Sequence, residues 1–168
     1  MNPTPAAILA IAKRYTDQGY REGPNNDTIF GKRYGLNHQP WCDMYVSDIF
    51  VEAGAIRAIA PKSSPKGFAS CDAHLKHLAK NGQLVPVGKA QPGDLVFFQF
   101  DDDAQPDHIG IVKANRPRTR TLVCFEGNTS GDSKGSQSNG DGCFEKKRSY
   151  SLVMAVARPN WSLVAPAK

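Results

Sequence analysis

The hydrophobic period of this chain changes once, at Asn81-Gly82, and that change limits the folds open to it. Before it, apolar residues recur at steps of three and four. Thr4 and Pro5 make an N-cap and first-turn pair, Ile8, Ile11, Ala12 and Tyr15 follow on one face, and Gly19 can end the helix. Cys42, Val46, Ile49, Phe50 and Ala53 share one face of a second helix that stops at Gly54. A third runs from Ser70 as N-cap to about Lys80, with Cys71, Leu75 and Leu78 turned inward. After Gly82 come short runs rich in β-branched and aromatic residues: "DLVFFQF" (94–100), "HIGIVKA" (108–114), "TLVCFEG" (121–127), "CFEKKRSY" (143–150) and "VMAVARP" (153–159). Helices first and strands second predict an α+β fold, with N-terminal helices packed on a meandering antiparallel sheet of about five strands.

Two connections stand out. Residues 20–40, "YREGPNNDTIFGKRYGLNHQP", are rich in Gly, Asn and Pro and read as an ordered loop with aromatic anchors. Residues 128–142, "NTSGDSKGSQSNGDG", form a low-complexity connection of a length that is usually functional or mobile.

At 168 residues the chain fits one domain, 1–168, large enough to bury a continuous core without disulfides. No apolar run approaches the roughly 20 residues that span a bilayer, so no membrane is expected as a partner. The segment "MNPTPAAILAIAKRYTDQG" lacks the basic and long apolar regions of a secretory signal, which predicts synthesis in the cytoplasm without a signal peptide. A net charge of +5 suits a polyanion such as nucleic acid, an anionic cell surface or a teichoic-acid-like polymer, or it merely keeps the surface soluble. The basic residues are spread along the chain, and no recognition-helix, zinc-finger or RNP pattern accompanies them, so nucleic acid is not expected. Cysteines 42, 71, 124 and 143 contain no C-x-x-C pair, which argues against a zinc ribbon or a thioredoxin-like motif. They read as free thiols, with Cys124 and Cys143, in neighbouring strands, as the one pair that could bridge under oxidising conditions.

The chemistry centres on "QPWCDMYV". A cysteine at a helix N-terminus gains thiolate character from the macrodipole and from unpaired backbone N–H groups, and those donors could also hold an oxyanion. Cysteines are equally common as buried core residues, and the helix pattern alone leaves both readings of Cys42 open. A nucleophilic thiol needs a base, and the base needs an orienting group. His38 lies in the loop before the helix and reads as solvated, and His74 and His77 form a weak H-x-x-H metal signal. His108 opens the apolar strand "HIGIV" after the acidic turn "DDDAQPD", so its ring should emerge at a sheet edge. The next strand ends in Glu126, Gly127 and Asn128, and strand pairing could put Glu126 or Asn128 behind the imidazole. Composition alone leaves Glu126 equally open as an exposed strand-end carboxylate. Trp41 reads as packing at the helix start rather than as cleft lining.

"GKRYGLNHQPWCDMYVSDIFVEAG", "PGDLVFF", "DHIGIV" and "FEGNTSG...GSQSNG", in this order, resemble the CHAP domain, the cysteine- and histidine-dependent amidohydrolase/peptidase module of the papain-like superfamily. The likeness runs from about Gly23 to Trp161. It implies a papain-like fold and cleavage of an amide bond in peptidoglycan, as an N-acetylmuramoyl-L-alanine amidase or an endopeptidase, in the manner of bacteriophage endolysins. Carried over, Cys42 matches the nucleophile, His108 the general base, Glu126 the group that orients the histidine and Asn128 a polar supporting position. Gln39 and Tyr34 are guesses for a second oxyanion donor. The resemblance implies peptidoglycan as a partner, the basic charge suits anionic wall polymers beside it, and a monomer with no cofactor is expected. Some relatives hold calcium upstream of the cysteine, but the equivalent stretch offers only Asp27 among Asn and Thr. The run Asp101 to Asp103 reads as a solvated turn. Asp43 departs from the small apolar residue common in relatives. It should raise the thiol pKa unless it points to solvent, and Asp43→Ala is expected to leave activity equal or higher. No separate wall-binding domain is visible. The alternatives are a bacterial wall-remodelling amidase, a toxin of the same superfamily, or an inactive wall-binding module.

Overall fold

A computed structural model describes residues 3–164. Its elements run α1 (Pro5–Asp17), α2 (Ile29–Tyr34), α3 (Cys42–Glu52), α4 (Cys71–Lys80), β1 (Leu84–Val85), β2 (Leu95–Phe98), β3 (His108–Arg116), β4 (Thr121–Thr129), β5 (Gly142–Ser149) and β6 (Val153–Ala157), with short 3-10 turns between. Over the described residues the fold is α+β, four helices packed on a six-stranded antiparallel sheet.

The caps read from the sequence are in place. Thr4 accepts from the Ala7 amide and Ser70 from the Ala73 amide, while Gly19 and Gly54 take positive φ just past their helices. Two elements differ from expectation. Residues 20–40 contain α2, started by Thr28, whose hydroxyl accepts from the Gly31 amide. The two-residue strand β1 pairs with β6.

The sheet order is β1-β6-β2-β3-β4-β5. The meander holds for β2 to β5, but β6 lies beside β2, on the far side from β5. Only Tyr150–Leu152 separate β5 from β6. Four Cα steps reach at most ~14 Å, whereas four strand spacings in a flat sheet would need ~19 Å. The sheet must therefore curl, bringing its edges together at one end.

Alternation along the strands splits the core in two. One face, with Phe97, Ile109, Ile111 and Phe125, packs on the helices; the other gathers Val96, Phe98, Val112, Leu122, Cys124, Tyr150 and Val156 inside the curl. All four cysteines are free, as read from the sequence, and the one pair that could have bridged is held apart by this geometry. Cys124 lies opposite Lys146 and belongs to the inner cluster, whereas Cys143, an odd number of residues away, faces the helices.

Helix α3 sits close on β3 and β4. A Cβ at Gly127 would fall 2.6 Å from Tyr45 and 2.7 Å from Trp41, so glycine there lets α3 rest directly on β4. Trp41 is packed, not cleft-lining: fully buried, it stacks on Phe30 at 5.3 Å, and its Nε1 donates to Glu22. This anchors the residue immediately before Cys42.

Candidate active site

Cys42 is the first residue of α3, and Trp41, at the N-cap, contributes no side-chain hydrogen bond. The other α-helices begin with a capping hydroxyl from Thr4, Thr28 or Ser70. The first amides of α3 are thus without that partner, beside the thiol.

His108 opens β3, a central strand rather than a sheet edge, and its ring is fully buried instead of emerging. It packs against the stacked pair Phe98 and Phe100, with ring centroids 6.1 and 6.0 Å away. Its Nε2 is 3.0 Å from Glu126 Oε2; the carboxylate can only accept, so the ring donates there. That leaves Nδ1, which has no other partner, as the nitrogen available to the Cys42 sulfur.

Glu126 reaches His108 because Gly110 lies between them. A Cβ at Gly110 would stand 2.8 Å from Glu126 Cγ, so glycine there lets the glutamate side chain lie over β3 to meet His108 on the same strand. Glu126 is not an exposed strand end: it is fully buried and gripped by Arg148, whose Nε and Nη2 donate to Oε1 at 2.9 Å and to Oε2 at 2.5 Å. Burial would raise the carboxyl pKa, but Arg148 and His108 outweigh it and keep the group ionised. Arg148 was hidden in the strand "CFEKKRSY"; only its pairing opposite the inward Leu122 marks it, and that needs the register.

Asn128 does not join this chain of contacts. It takes a left-handed conformation (φ 57°) at an irregularity between β4 and β5, and its Nδ2 donates to Ser138 O at 3.2 Å. It therefore shapes the 130–141 loop. That loop is built, not loose: Asp132 accepts from the amides of Lys134 and Gly135, and Gln137 Oε1 accepts from Arg148 Nη1 at 2.9 Å. One line of contacts thus runs from the loop through Gln137, Arg148 and Glu126 to His108.

A second cysteine, which the helix pattern marked only as inward, completes the surroundings of the sulfur. Cys71, first residue of α4, places its Sγ 3.6 Å from that of Cys42. This contact lowers the Cys42 pKa most, burial opposes it, and His108 adds to it, bringing the thiol down to about 5. Cys71 is shifted the other way by the same contact and by burial, so it keeps its proton and donates it to the Cys42 thiolate. The asymmetry has a physical source, since His108 acts on Cys42 and no cation acts on Cys71. Burial lowers the His108 pKa, but hydrogen bonding and charge from Cys42 and Glu126 prevail and hold it up to about 9. Between those values the pair is thiolate and imidazolium.

Asp43 does not point to solvent. It is fully buried, and its Oδ1 is 2.8 Å from His74 Nδ1. His74, stacked on Phe68 at 4.4 Å, is thus part of a buried pair and not of an H-x-x-H metal site. The signal available was its position three residues after Cys71 on the inward face of α4. His38 is exposed, with Nδ1 2.8 Å from Asn25 O. Asp27 is engaged by Lys32 and Asn37, and Asp101 to Asp103 are exposed. No cluster of three metal-ligating side chains occurs among the described residues, and none of their helices is long and apolar enough to cross a membrane. Gln39 is exposed and Tyr34 half-buried, and neither side chain hydrogen-bonds within the site. A cleft between α2 and α3 is lined by Phe30, Tyr34, Met44 and Lys66, but not by Cys42 or His108. No protein-family model matches the chain and no curated protein sequence is significantly similar to it, so the functional reading rests on the residues and their geometry.

Proposed function

We propose that the chain is a cysteine-dependent amide hydrolase, with Cys42 as nucleophile, His108 as general base and acid, and Glu126 as the group that orients the imidazole. The substrate we assign is peptidoglycan, cut as an amidase or endopeptidase, and the family is the CHAP domain in the papain-like superfamily. The observation that carries the reading is the buried chain from Arg148 to Glu126 to His108, which leaves one ring nitrogen unpartnered while His108 acts on a thiol at an uncapped helix start. A thiol drawn down to about 5 by its neighbours and an imidazolium held up to about 9 are the opposite shifts that a nucleophile–base pair requires.

The thiolate attacks the amide carbonyl, and the oxygen that gains charge is received by the first backbone amides of α3. His108 then passes its proton to the leaving amine, and the resulting neutral imidazole takes a proton from water as it hydrolyses the thioester. Glu126 keeps its charge throughout and stabilises the imidazolium. Asn128 has the lesser role of fixing the loop that bears on Arg148. The basic surface suits anionic wall polymers, and a lysis enzyme of the bacteriophage type fits this set of features.

The test is digestion of purified peptidoglycan by the wild type and by Cys42→Ala, with mass spectrometry of the fragments. Free stem peptides identify an amidase, and shortened peptides still on glycan an endopeptidase. Equal wall binding by both proteins with no new amines from either would replace the hydrolase by a binding module.

A further inference from the structure

Cys71 makes and breaks no bond in the hydrolytic steps, yet its sulfur lies 3.6 Å from that of Cys42. We propose that Cys71 is a resolving cysteine, which captures peroxide-oxidised Cys42 as a reversible Cys42–Cys71 disulfide and so makes the site redox-switchable. This rests on the reading of Cys42 as a reactive thiolate, though not on the identity of the substrate.

The geometry is specific to this pair. The sulfurs are 3.6 Å apart and must close by roughly 1.6 Å to reach a bonded distance near 2.05 Å, a movement within reach of side-chain rotation. Both residues open a helix, α3 and α4, so two rigid elements present the thiols to each other. Cys42 and Cys71 keep 6% and 9% of their surface, whereas Cys124 keeps none and Cys143 2%. A small oxidant can touch the first two and hardly the others. Within the curl, Cys124 has no sulfur neighbour, and Cys143 is on the opposite face.

The steps balance with hydrogen peroxide as the oxidant. The Cys42 thiolate attacks one peroxide oxygen; an S–O bond forms, the O–O bond breaks, and hydroxide leaves and takes up a proton as water. Sulfur is oxidised by two electrons and peroxide reduced by two. The Cys71 sulfur then attacks the Cys42 sulfenic acid; an S–S bond forms, the S–O bond breaks, and the departing hydroxide takes the Cys71 proton as a second water. In the resting state Cys71 holds its proton chiefly because it donates to the Cys42 thiolate. Once Cys42 is a neutral sulfenic acid that hold is gone, so oxidation itself frees the second thiol to react.

The experiment treats the full chain with a small excess of hydrogen peroxide and follows thiol count, peptide linkage and Cys42 oxidation by mass spectrometry. Two of the four thiols should disappear, a Cys42–Cys71 linked peptide should appear, and dithiothreitol should reverse both. In Cys71→Ser, Cys42 should instead be trapped by dimedone and then pass irreversibly to sulfinic acid. Cys71→Ala, which places no hydroxyl against the thiolate, serves if the serine variant misfolds. Sulfinic acid at Cys42 of the wild type with no linked peptide, a bridge at Cys124 or Cys143, or no reaction at Cys42 would overturn the proposal. A reversible bridge in a protein whose reduced form does not cut peptidoglycan would sink the hydrolase reading and leave this one standing.

Discussion

Gly110→Ala tests the site without touching any reacting group. The added Cβ would lie 2.8 Å from Glu126 Cγ, where ordinary contact begins at 3.4 Å, so the glutamate must retreat by about 0.6 Å. Arg148 holds both carboxylate oxygens from the far side, and the retreat falls on the bond to His108. Lengthened from 3.0 Å to about 3.6 Å, that bond no longer counts as a hydrogen bond. Burial then lowers the imidazolium pKa from about 9 with less to oppose it. On the proposed mechanism the working form exists above the Cys42 pKa of about 5 and below the His108 pKa of about 9, so kcat/KM should be bell-shaped with limbs near those values. In Gly110→Ala the alkaline limb should move to lower pH. Activity should fall about 10- to 100-fold, and more near pH 8 than near pH 6. Crowding should also cost roughly 1–3 kcal/mol of stability. The assay is release of new amines from peptidoglycan across the pH range, with urea unfolding alongside. Gly88→Ala is the control, because a Cβ there meets nothing within 4 Å. A folded Gly110→Ala protein with the wild-type rate and an unmoved alkaline limb would refute the claim that Glu126 acts on His108 across this glycine.

Asp43→Ala leaves a fully buried His74 without its partner, and unfolding in urea should show a loss of about 1–3 kcal/mol. Turnover per titrated thiol at neutral pH should be equal or higher, since a carboxylate beside the thiolate has gone; a fall of about a hundredfold would give Asp43 a role in the reaction. Arg148→Lys keeps the charge but cannot serve both Glu126 oxygens and Gln137 together, so stability should drop by about 1–3 kcal/mol, with a lower kcat measured on the remaining folded protein.

Helices α1, α3 and α4 were legible because each combines a periodic apolar face with a start or stop signal in the sequence itself. Helix α2 was not, since six residues containing Gly31 in a Gly- and Asn-rich stretch give too short a period to read. The strands after Gly82 were legible as strands, but not their order. Placing β6 beside β2 is a consequence of curl, which no single strand encodes. The same divide runs through the site. Cys42, His108 and Glu126 stood out by local position, and the structure brings them together. Arg148 looked like one more basic residue among Lys146 and Lys147 until pairing with β4 turned it inward. Cys71 looked like core because a helical face says what is hidden and not what it is hidden against.

Cys42 keeps a sliver of open surface where His108 keeps none, so what reaches the pair from outside meets the sulfur first. For a thioester formed there, the amine must go out before water can come in, so departure precedes arrival. On the proposed mechanism any other amine waiting outside would compete with water for that turn, and at high amine concentration transfer to it would accompany hydrolysis.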